Sequence, residues 1–517
     1  MFSSITLLYI PFYILIVKFI NTLLSLELMI NLRKTNTIDF TKIEPITKEQ
    51  YTKFIEMLGK AITFFNNIPK SETIRVISHL DADGITSAAG MLNALNNENK
   101  EYDLTIYSQL TDDVCQEIAK EEFTYYIITD LGSSQLKSIN AHLKNKKILI
   151  LDHHTPQEEA KFNIVHINPH LVGIDGSAHI SGSGIVFFFA GLLNKKNYDF
   201  AHIALVGAIG DVQELNGGFT GLNNIILDIA IQQKKIMIKK ELNLFGKQTR
   251  PLVKLLEYSS DLNIPGITGD QKAIVFFLKQ LGINPVKANE DLKTFVDLTE
   301  EEKKQLAEHI IVKRIQAGLT DYEKVFSTTY ELVDEDKGTF KDAKEFSTIL
   351  NACGRMDQAK TGVYACLDEP GFKLEAKQIH KDYKIEIVHG MNWIEKQLKH
   401  NSNAIIQTDK YMIINAQNNI MHTIIGTVAS ILTMNHKFSK DYYVLSFAHN
   451  VPEKIIKVSM RVVGNNEDID LQKMVSKMIE KLGCGEAGGH PHAAGAMIPI
   501  AKEQEFLQIA QDALDEL

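Results

Sequence analysis

The feature that most constrains this chain is an alternation between residues 75 and 211. Short apolar runs ending in polar motifs are separated by stretches with helical spacing. Arg75–His79 ends in SHLDADG, and a helix is expected from Ile85 to Asn96. Leu104–Tyr107 is a second run; Tyr125–Thr129 ends in TDLGSS, Lys147–Leu151 in DHH, and Phe162–Ile167 leads to NPH. SGSG then opens an apolar helix over Ile185–Leu193, and the apolar run His202–Ile209 is read as a further strand ending in GD. Strands alternating with helices predict a mostly parallel sheet. Open α/β sheets place their sites beyond the strand ends, where the polar residues of this chain gather.

The flanking sequence reads more simply. Residues 47–69 predict an amphipathic helix with Phe54, Met57, Leu58, Ile62 and Phe65 on one face. Residues 222–320 read as largely helical and charged, with a break at IPGITGD; within them 234–247 (KKIMIKKELNLFGK) reads as a helix with a solvated face. A second α/β region follows, with strands at Gly362–Leu367, Ala404–Gln407, Tyr411–Asn415, Tyr442–Phe447 and Ile455–Val462, a helix from near Thr423, then GCGEAGGHPHAAGAMIPI and a closing helix. The expected organisation is an N-terminal extension (1–45), a parallel-sheet α/β lobe (46–230), a helical connecting segment (231–325) and a smaller α/β C-terminal lobe (326–517).

Ile5–Ile30 is mostly apolar, interrupted by Pro11, Lys18, Asn21 and Glu27, and no basic stretch precedes it. It reads either as a membrane anchor or as sequence upstream of a start at Met29, where MINLRKTNTIDF resembles an ordinary soluble beginning. The second reading agrees with the rest of the chain. Four cysteines (Cys115, Cys353, Cys366, Cys484) form no CxxC, which argues against a disulfide framework or structural zinc and predicts a cytoplasmic protein. With 55 Lys and Arg against 64 Asp and Glu, the net charge of −9 excludes a protein that coats nucleic acid through general basicity. Any nucleic-acid contact is therefore expected in a local groove or at a metal site.

His79-x-Asp81-x-Asp83, Asp130, Asp152-His153-His154 and Asp211 fall at successive strand ends of one predicted sheet. Residues two apart in extended chain face one side, so His79, Asp81 and Asp83 are expected to converge. Carboxylates and imidazoles gathered in a pocket need a cation to hold them, and this oxygen-rich set suits Mn²⁺, Mg²⁺ or Zn²⁺. The set exceeds what one tetrahedral ion uses, and two ions roughly 3.5–4 Å apart, bridged by one carboxylate, would employ it. A lone HxDxD or DHH is most often an ordinary loop; the recurrence at successive strand ends is what points to metal. For anions, Ser181-Gly-Ser183-Gly184 before an apolar helix offers backbone N–H groups to a phosphate. Arg355 can fork onto one, Arg461 is a further candidate, and His170 is expected along the cleft. Gly488, Gly489 and His490 leave room for close backbone approach to a sugar-phosphate chain.

HLDADG, TDLGSS, LDHH and GAIGD resemble, in order, the four motifs of the DHH phosphoesterase superfamily, and GGHPHAAGA resembles the glycine-rich signature of its DHH-associated C-terminal domain. LNACGRM and KVSMR are similar to segments of RecJ nucleases. The resemblance covers roughly residues 70–500 and is strongest to archaeal RecJ-like single-strand exonucleases; His79 departs from bacterial RecJ, which carries Asp there. It implies that His79, Asp81 and Asp130 hold one ion, and that Asp83, Asp130, His153 and Asp211 hold the other, with Mn²⁺ the expected metal. Asp152 would orient an imidazole, and His154 would touch the scissile phosphate or protonate the leaving oxygen. Arg355 would read a 5′-terminal phosphate and set 5′→3′ polarity on single-stranded DNA or RNA. Two further readings share the motifs: a short-oligonucleotide or cyclic-dinucleotide phosphodiesterase, and a scaffold among replication or repair proteins.

Overall fold

The computed structural model describes residues 43–214, 217–259, 261–434, 438–464, 466 and 468–517. The apolar run Ile5–Ile30 and the Met29 start lie outside the described residues. Among the described residues no helix is long and apolar enough to cross a membrane.

The chain forms two compact units, one ending at Lys377 and one spanning Gln378–Leu517. The first opens with α1 (Lys48–Asn66), started by a capping box: Thr47 Oγ1 accepts the Gln50 N–H at 3.2 Å and the Gln50 side chain accepts the Thr47 N–H at 2.9 Å. It continues β1 (Ile74–His79), α2 (Ala82–Asn97), β2 (Tyr102–Tyr107), α3 (Asp112–Lys120), β3 (Tyr125–Thr129), α4 (Leu136–His142), β4 (Lys147–Leu151) and β5 (Ile164–Ile167). These five strands form one parallel sheet in the order β2-β1-β3-β4-β5. Ile77, Tyr126, Ile128, Ile148 and Ile150 pack one of its faces with no exposed surface. Each such side chain contributes about 1.5–3 kcal/mol, which fixes the strand ends that carry the polar motifs.

Two buried helices follow, α5 (Gly182–Leu193) and α6 (Ala201–Gly210). The second is the run His202–Ile209, expected as a strand. Its residues are buried between α2, α5 and the following α7 (Gly221–Gln232), and an apolar run buried on all sides has no periodicity to separate helix from strand. The expected helix over 234–247 is instead β6 (Ile236–Leu242), paired antiparallel with β7 (Phe326–Leu332). Cross-strand contact explains this: Lys239 pairs with Glu331 at 2.7 Å, and Ile236 and Leu242 are buried. Between them α8 (Leu252–Glu257), α9 (Gln271–Gln280) and α10 (Glu300–Gln316) surround a small core of Leu252, Leu256, Phe277, Phe295, Leu306 and Ile310.

Residues 326–377, grouped above with the C-terminal region, pack in the first unit. β7 is tied to β6, and α11 (Ala343–Arg355) lies on α2 and α6. The expected strand Gly362–Leu367 is α12 (Ala359–Cys366), another fully apolar short run that is helical because it packs against α2 and α11. The long helix α13 (Phe372–Lys399) leads into the second unit.

The second unit contains β8 (Ile405–Gln407), β9 (Tyr411–Asn415), α14 (Ile425–Thr433), β10 (Tyr443–Asn450), β11 (Ile455–Val462), α15 (Leu471–Leu482), β12 (Glu486–His490), β13 (Ala493–Pro499) and α16 (Glu503–Asp515). Its six strands run in the order β12-β13-β11-β10-β9-β8. The first and second sheets together bear out the α/β fold class.

Candidate metal centre

β1 delivers His79 as its last residue, and the chain turns at once into α2. Asp81 becomes the N-cap: its Oδ1 accepts the Gly84 N–H at 3.0 Å, while Oδ2 lies 3.0 Å from His79 Nδ1. Asp83 follows in the first turn. Asp130 comes directly after β3 with φ 55°, a left-handed conformation that Asp tolerates better than most residues. Its own N–H remains on the Leu151 carbonyl at 2.9 Å. β4 ends at Leu151 and is followed directly by Asp152, His153 and His154. Asp211 caps the C-terminal end of α6 rather than ending a strand.

Asp130 is central. Its Oδ2 lies 3.8 Å from His79 Nδ1 and its Oδ1 3.2 Å from His153 Nε2. His153 Nε2 is also 3.7 Å from Asp83 Oδ2 and 3.8 Å from Asp211 Oδ2. Ligand atoms therefore cluster within 4.8 Å in three overlapping groups: His79, Asp81 and Asp130; Asp83, His153 and Asp211; and Asp130, Asp152, His153 and His154. His79 Nδ1, both Asp130 oxygens and His153 Nε2 are buried and make no hydrogen bond among the described residues. Buried polar atoms are rarely left so, and a divalent cation is the group this donor set fits.

The surrounding contacts hold the ligands in place. The Gly176 carbonyl lies 2.7 Å from His153 Nδ1 and accepts its proton, which aims Nε2 at the carboxylates. Gln213, absent from the sequence reading, donates to that carbonyl and to Asp211 Oδ2, each at 2.8 Å, and accepts from Asn223 at 2.7 Å. Its one sequence signal is its place two residues after Asp211. Asp152 is fully buried and accepts from the backbone N–H groups of Ser133 (2.8 Å) and His153 (2.8 Å). Its Oδ1 lies 2.8 Å from His154 Nδ1, leaving His154 Nε2 as that ring's other nitrogen. His170 stands beside this group: a Cβ on Gly176 would lie 3.1 Å from its Nε2.

Ser181 and Ser183 are placed differently from the phosphate cradle expected of them. Both are buried. Gly182 N–H (2.6 Å), Ser183 N–H (3.1 Å) and Ser183 Oγ (2.5 Å) all engage the Asp83 carboxylate, and Ser181 Oγ caps the helix on Gly184 N–H at 3.2 Å. The anion at this helix N-terminus is Asp83 itself.

Arg355 is the last residue of α11, beside Gly354, which abuts Leu80. The remaining candidates belong to the second unit. Gly488, Gly489 and His490 lie on β12 opposite Gly495, Ala494 and Ala493 of β13. Arg461, on β11, donates to Ser430 Oγ at 2.9 Å and to the Met460 carbonyl at 2.8 Å.

Burial, reinforced by the charges of Asp83 and Asp81, pushes the Asp130 carboxyl up to about 7. Burial likewise pushes Asp211 up to about 6, with His153 opposing. For His79 and His153 burial opposes the charge, but Asp81 and Asp130 around the first and Asp211 and Asp130 around the second raise both imidazoles well above their ordinary range. Burial disfavours the Asp152 carboxylate too, yet His154 holds it far below the usual range. The pocket retains protons where crowded carboxylates need positive charge.

The DHH family N-terminal domain matches residues 73–208, the DHH-CID domain 244–325 and the DHHA1 domain 409–516. The uncharacterized protein MJ0831 of Methanocaldococcus jannaschii is 30% identical over 454 residues, covering 86% of this chain and 93% of its own. The fold is similar to RecJ of Thermus thermophilus in complex with Mn²⁺ (TM-score 0.53, 14% identity, 89% of this chain); the match covers 55% of that longer chain. It is also similar to CDC45 of Entamoeba histolytica (TM-score 0.58, 12% identity, 90% of this chain and 99% of that one).

Proposed function

The chain belongs to the DHH superfamily, with a RecJ-like fold, and from that premise we propose that it is a two-metal phosphodiester hydrolase: a 5′→3′ exonuclease that releases mononucleotides from single-stranded DNA or RNA. The observation that carries this reading is the group of buried donor atoms on His79, Asp130 and His153 that crowd together without making a hydrogen bond. His79, Asp81 and Asp130 would hold one cation; Asp83, Asp130, His153 and Asp211 the other. Mn²⁺ is the expected metal. When bound, two such ions lower the pKa of an attacking water and offset charge on the phosphate oxygens. The protein's own part is geometric. The start of α5 fixes Asp83, Gly176 and Gln213 fix His153 and Asp211, and Asp152 fixes His154.

His154 is the general acid. Burial lowers its pKa, but Asp152 outweighs this and raises it, so Nε2 keeps a proton for the leaving oxygen. Arg355 reads the 5′ phosphate. Arg461, Gly488, Gly489, His490 and His170 contact the strand. On this reading the protein acts in the cytoplasm. The fold shared with CDC45 supports a second reading, a scaffold associated with replication or repair proteins. The complete ligand set favours hydrolysis.

The test is purified full-length protein with Mn²⁺ and single strands of DNA and RNA labelled at either end, from two nucleotides to several tens, alongside cyclic dinucleotides. Stepwise mononucleotide release from the 5′ end of long strands is expected. Cleavage confined to very short or cyclic substrates would make the protein a nucleotide-turnover phosphodiesterase, and no cleavage of any would leave the scaffold reading.

A further inference from the structure

Helix α11 touches the first ligand loop at two points. Asn351 Oδ1 accepts the Ala82 N–H at 3.0 Å, and Ala82 sits between Asp81 and Asp83. That N–H opens α2 and has no partner within its own helix, so a side chain 269 residues away supplies its acceptor. At Gly354 the packing is closer: a Cβ there would stand 1.7 Å from the Leu80 carbonyl oxygen. The loop is also met by α6, where a Cβ on Gly210 would lie 2.5 Å from Ala82 Cβ. Leu80 and Ala82, which alternate with His79, Asp81 and Asp83, are therefore packed directly against α11 and α6.

The other end of α11 is held by a different part of the chain. The buried Glu345 carboxylate accepts the Gln248 N–H at 2.9 Å and the Thr249 hydroxyl at 2.6 Å. Gln248 and Thr249 belong to the segment matching the DHH-CID domain. Asp342 caps the same helix end through Lys344 N–H at 2.8 Å and Glu345 N–H at 3.2 Å. From Glu345 to Asn351 is six residues of one helix, a rise of about 9 Å. A rigid helix fixed at both ends transmits displacement.

We infer that α11 is a strut through which the 244–325 segment sets the geometry of the metal-ligand loop, with Asn351 as its positioning residue. The inference rests on the metal-centre reading above. It assigns a regulatory role to the segment: whatever displaces the Gln248–Thr249 turn alters the placement of Asp81 and Asp83 without touching them.

The experiment measures Mn²⁺ affinity by calorimetry on the full chain without substrate, with circular dichroism to establish folding. Asn351→Leu keeps the size and removes the acceptor, and about tenfold weaker binding is expected. Asn351→Asp keeps the acceptor and is expected to bind at least as tightly as wild type. Thr249→Val, remote from the pocket, is expected to weaken binding about two- to tenfold. Unchanged affinity in Asn351→Leu, or equal losses in the Leu and Asp variants, would overturn the positioning role. Unchanged affinity in Thr249→Val would overturn the strut. Wild-type protein that binds no Mn²⁺ would sink the hydrolase reading and the strut together, whereas wild-type binding with unaffected variants sinks the strut alone.

Discussion

A Cβ on Gly182 would stand 2.5 Å from Oδ1 of Asp130, so the central carboxylate of the candidate metal centre packs directly on the first residue of α5. No side chain larger than hydrogen fits there without moving Asp130. Gly182→Ala is expected to destabilise the fold by about 1–3 kcal/mol through overpacking. It should weaken Mn²⁺ binding as well. Thermal melts with and without Mn²⁺ check both; a variant with wild-type Mn²⁺ response would show that Asp130 has room to move.

Asp130→Asn should separate stability from function. The raised carboxyl pKa means the ionised form is disfavoured in the metal-free fold at neutral pH. Replacing it with a neutral isostere should raise metal-free stability by about 1 kcal/mol or more. The same change should abolish hydrolysis and remove the Mn²⁺-induced shift in Tm. Near-normal turnover would refute the shared-ligand role.

The pH dependence of metal uptake follows from the same shifts. Asp130 at about 7 and Asp211 at about 6 lie above the usual Asp value, so the folded metal-free state holds protons that the unfolded chain releases. Raised imidazoles at His79 and His153 act in the same sense. The two carboxylates therefore favour the metal-free fold increasingly as pH falls from about 7 towards about 4, whereas the contribution of the two imidazoles is already complete below their ordinary value of 6.5; both contributions are lost as pH rises through the folded values. Cations must displace those protons. The Mn²⁺-induced rise in Tm should be larger at pH 8 than at pH 5.5; the reverse order would contradict the assignment.

Gln213→Leu removes the donor shared by Asp211 and the Gly176 carbonyl. Affinity for Mn²⁺ should fall by about 10–100-fold, the usual effect of losing a group that orients a ligand. Calorimetry on the folded variant decides this, and an unchanged affinity would limit Gln213 to packing.

Arg355→Ala should erase preference for 5′-phosphorylated over 5′-hydroxyl strands while leaving Mn²⁺ binding intact. Rates on the two substrates measured side by side decide it, and an unaltered ratio removes Arg355 from end recognition.

Much of the candidate centre was legible in the chain because most of its residues lie at or just beyond strand ends, which are marked by where apolar runs stop; Asp211, at a helix end, also follows an apolar run. His79, Asp81, Asp83, Asp130, His153 and Asp211 all fall within the clusters. What failed was the element type of short apolar runs. His202–Ile209 and Gly362–Leu367 are helices because they are buried all round, a tertiary fact with no local signature. The stretch 234–247 failed the opposite way: its lysines suggested a solvated helix, whereas pairing with β7 makes its centre a strand. Ser181 and Ser183 were read as facing a substrate because nothing local reveals that Asp83, about 100 positions earlier, occupies the helix start. Gln213 and Asn351 were missed for the same reason.

The long reach of the Asn351–Ala82 hydrogen bond bears on how the protein is born. A chain emerging from the ribosome presents the HxDxD loop first, Asp211 much later, and Asn351 only 269 residues after Ala82. Until α11 has been made, that loop lacks the helix that confines it. On the strut reading, the HxDxD loop would reach its final geometry only once most of the polypeptide has been synthesised, so the order of the residues would set when the centre matures.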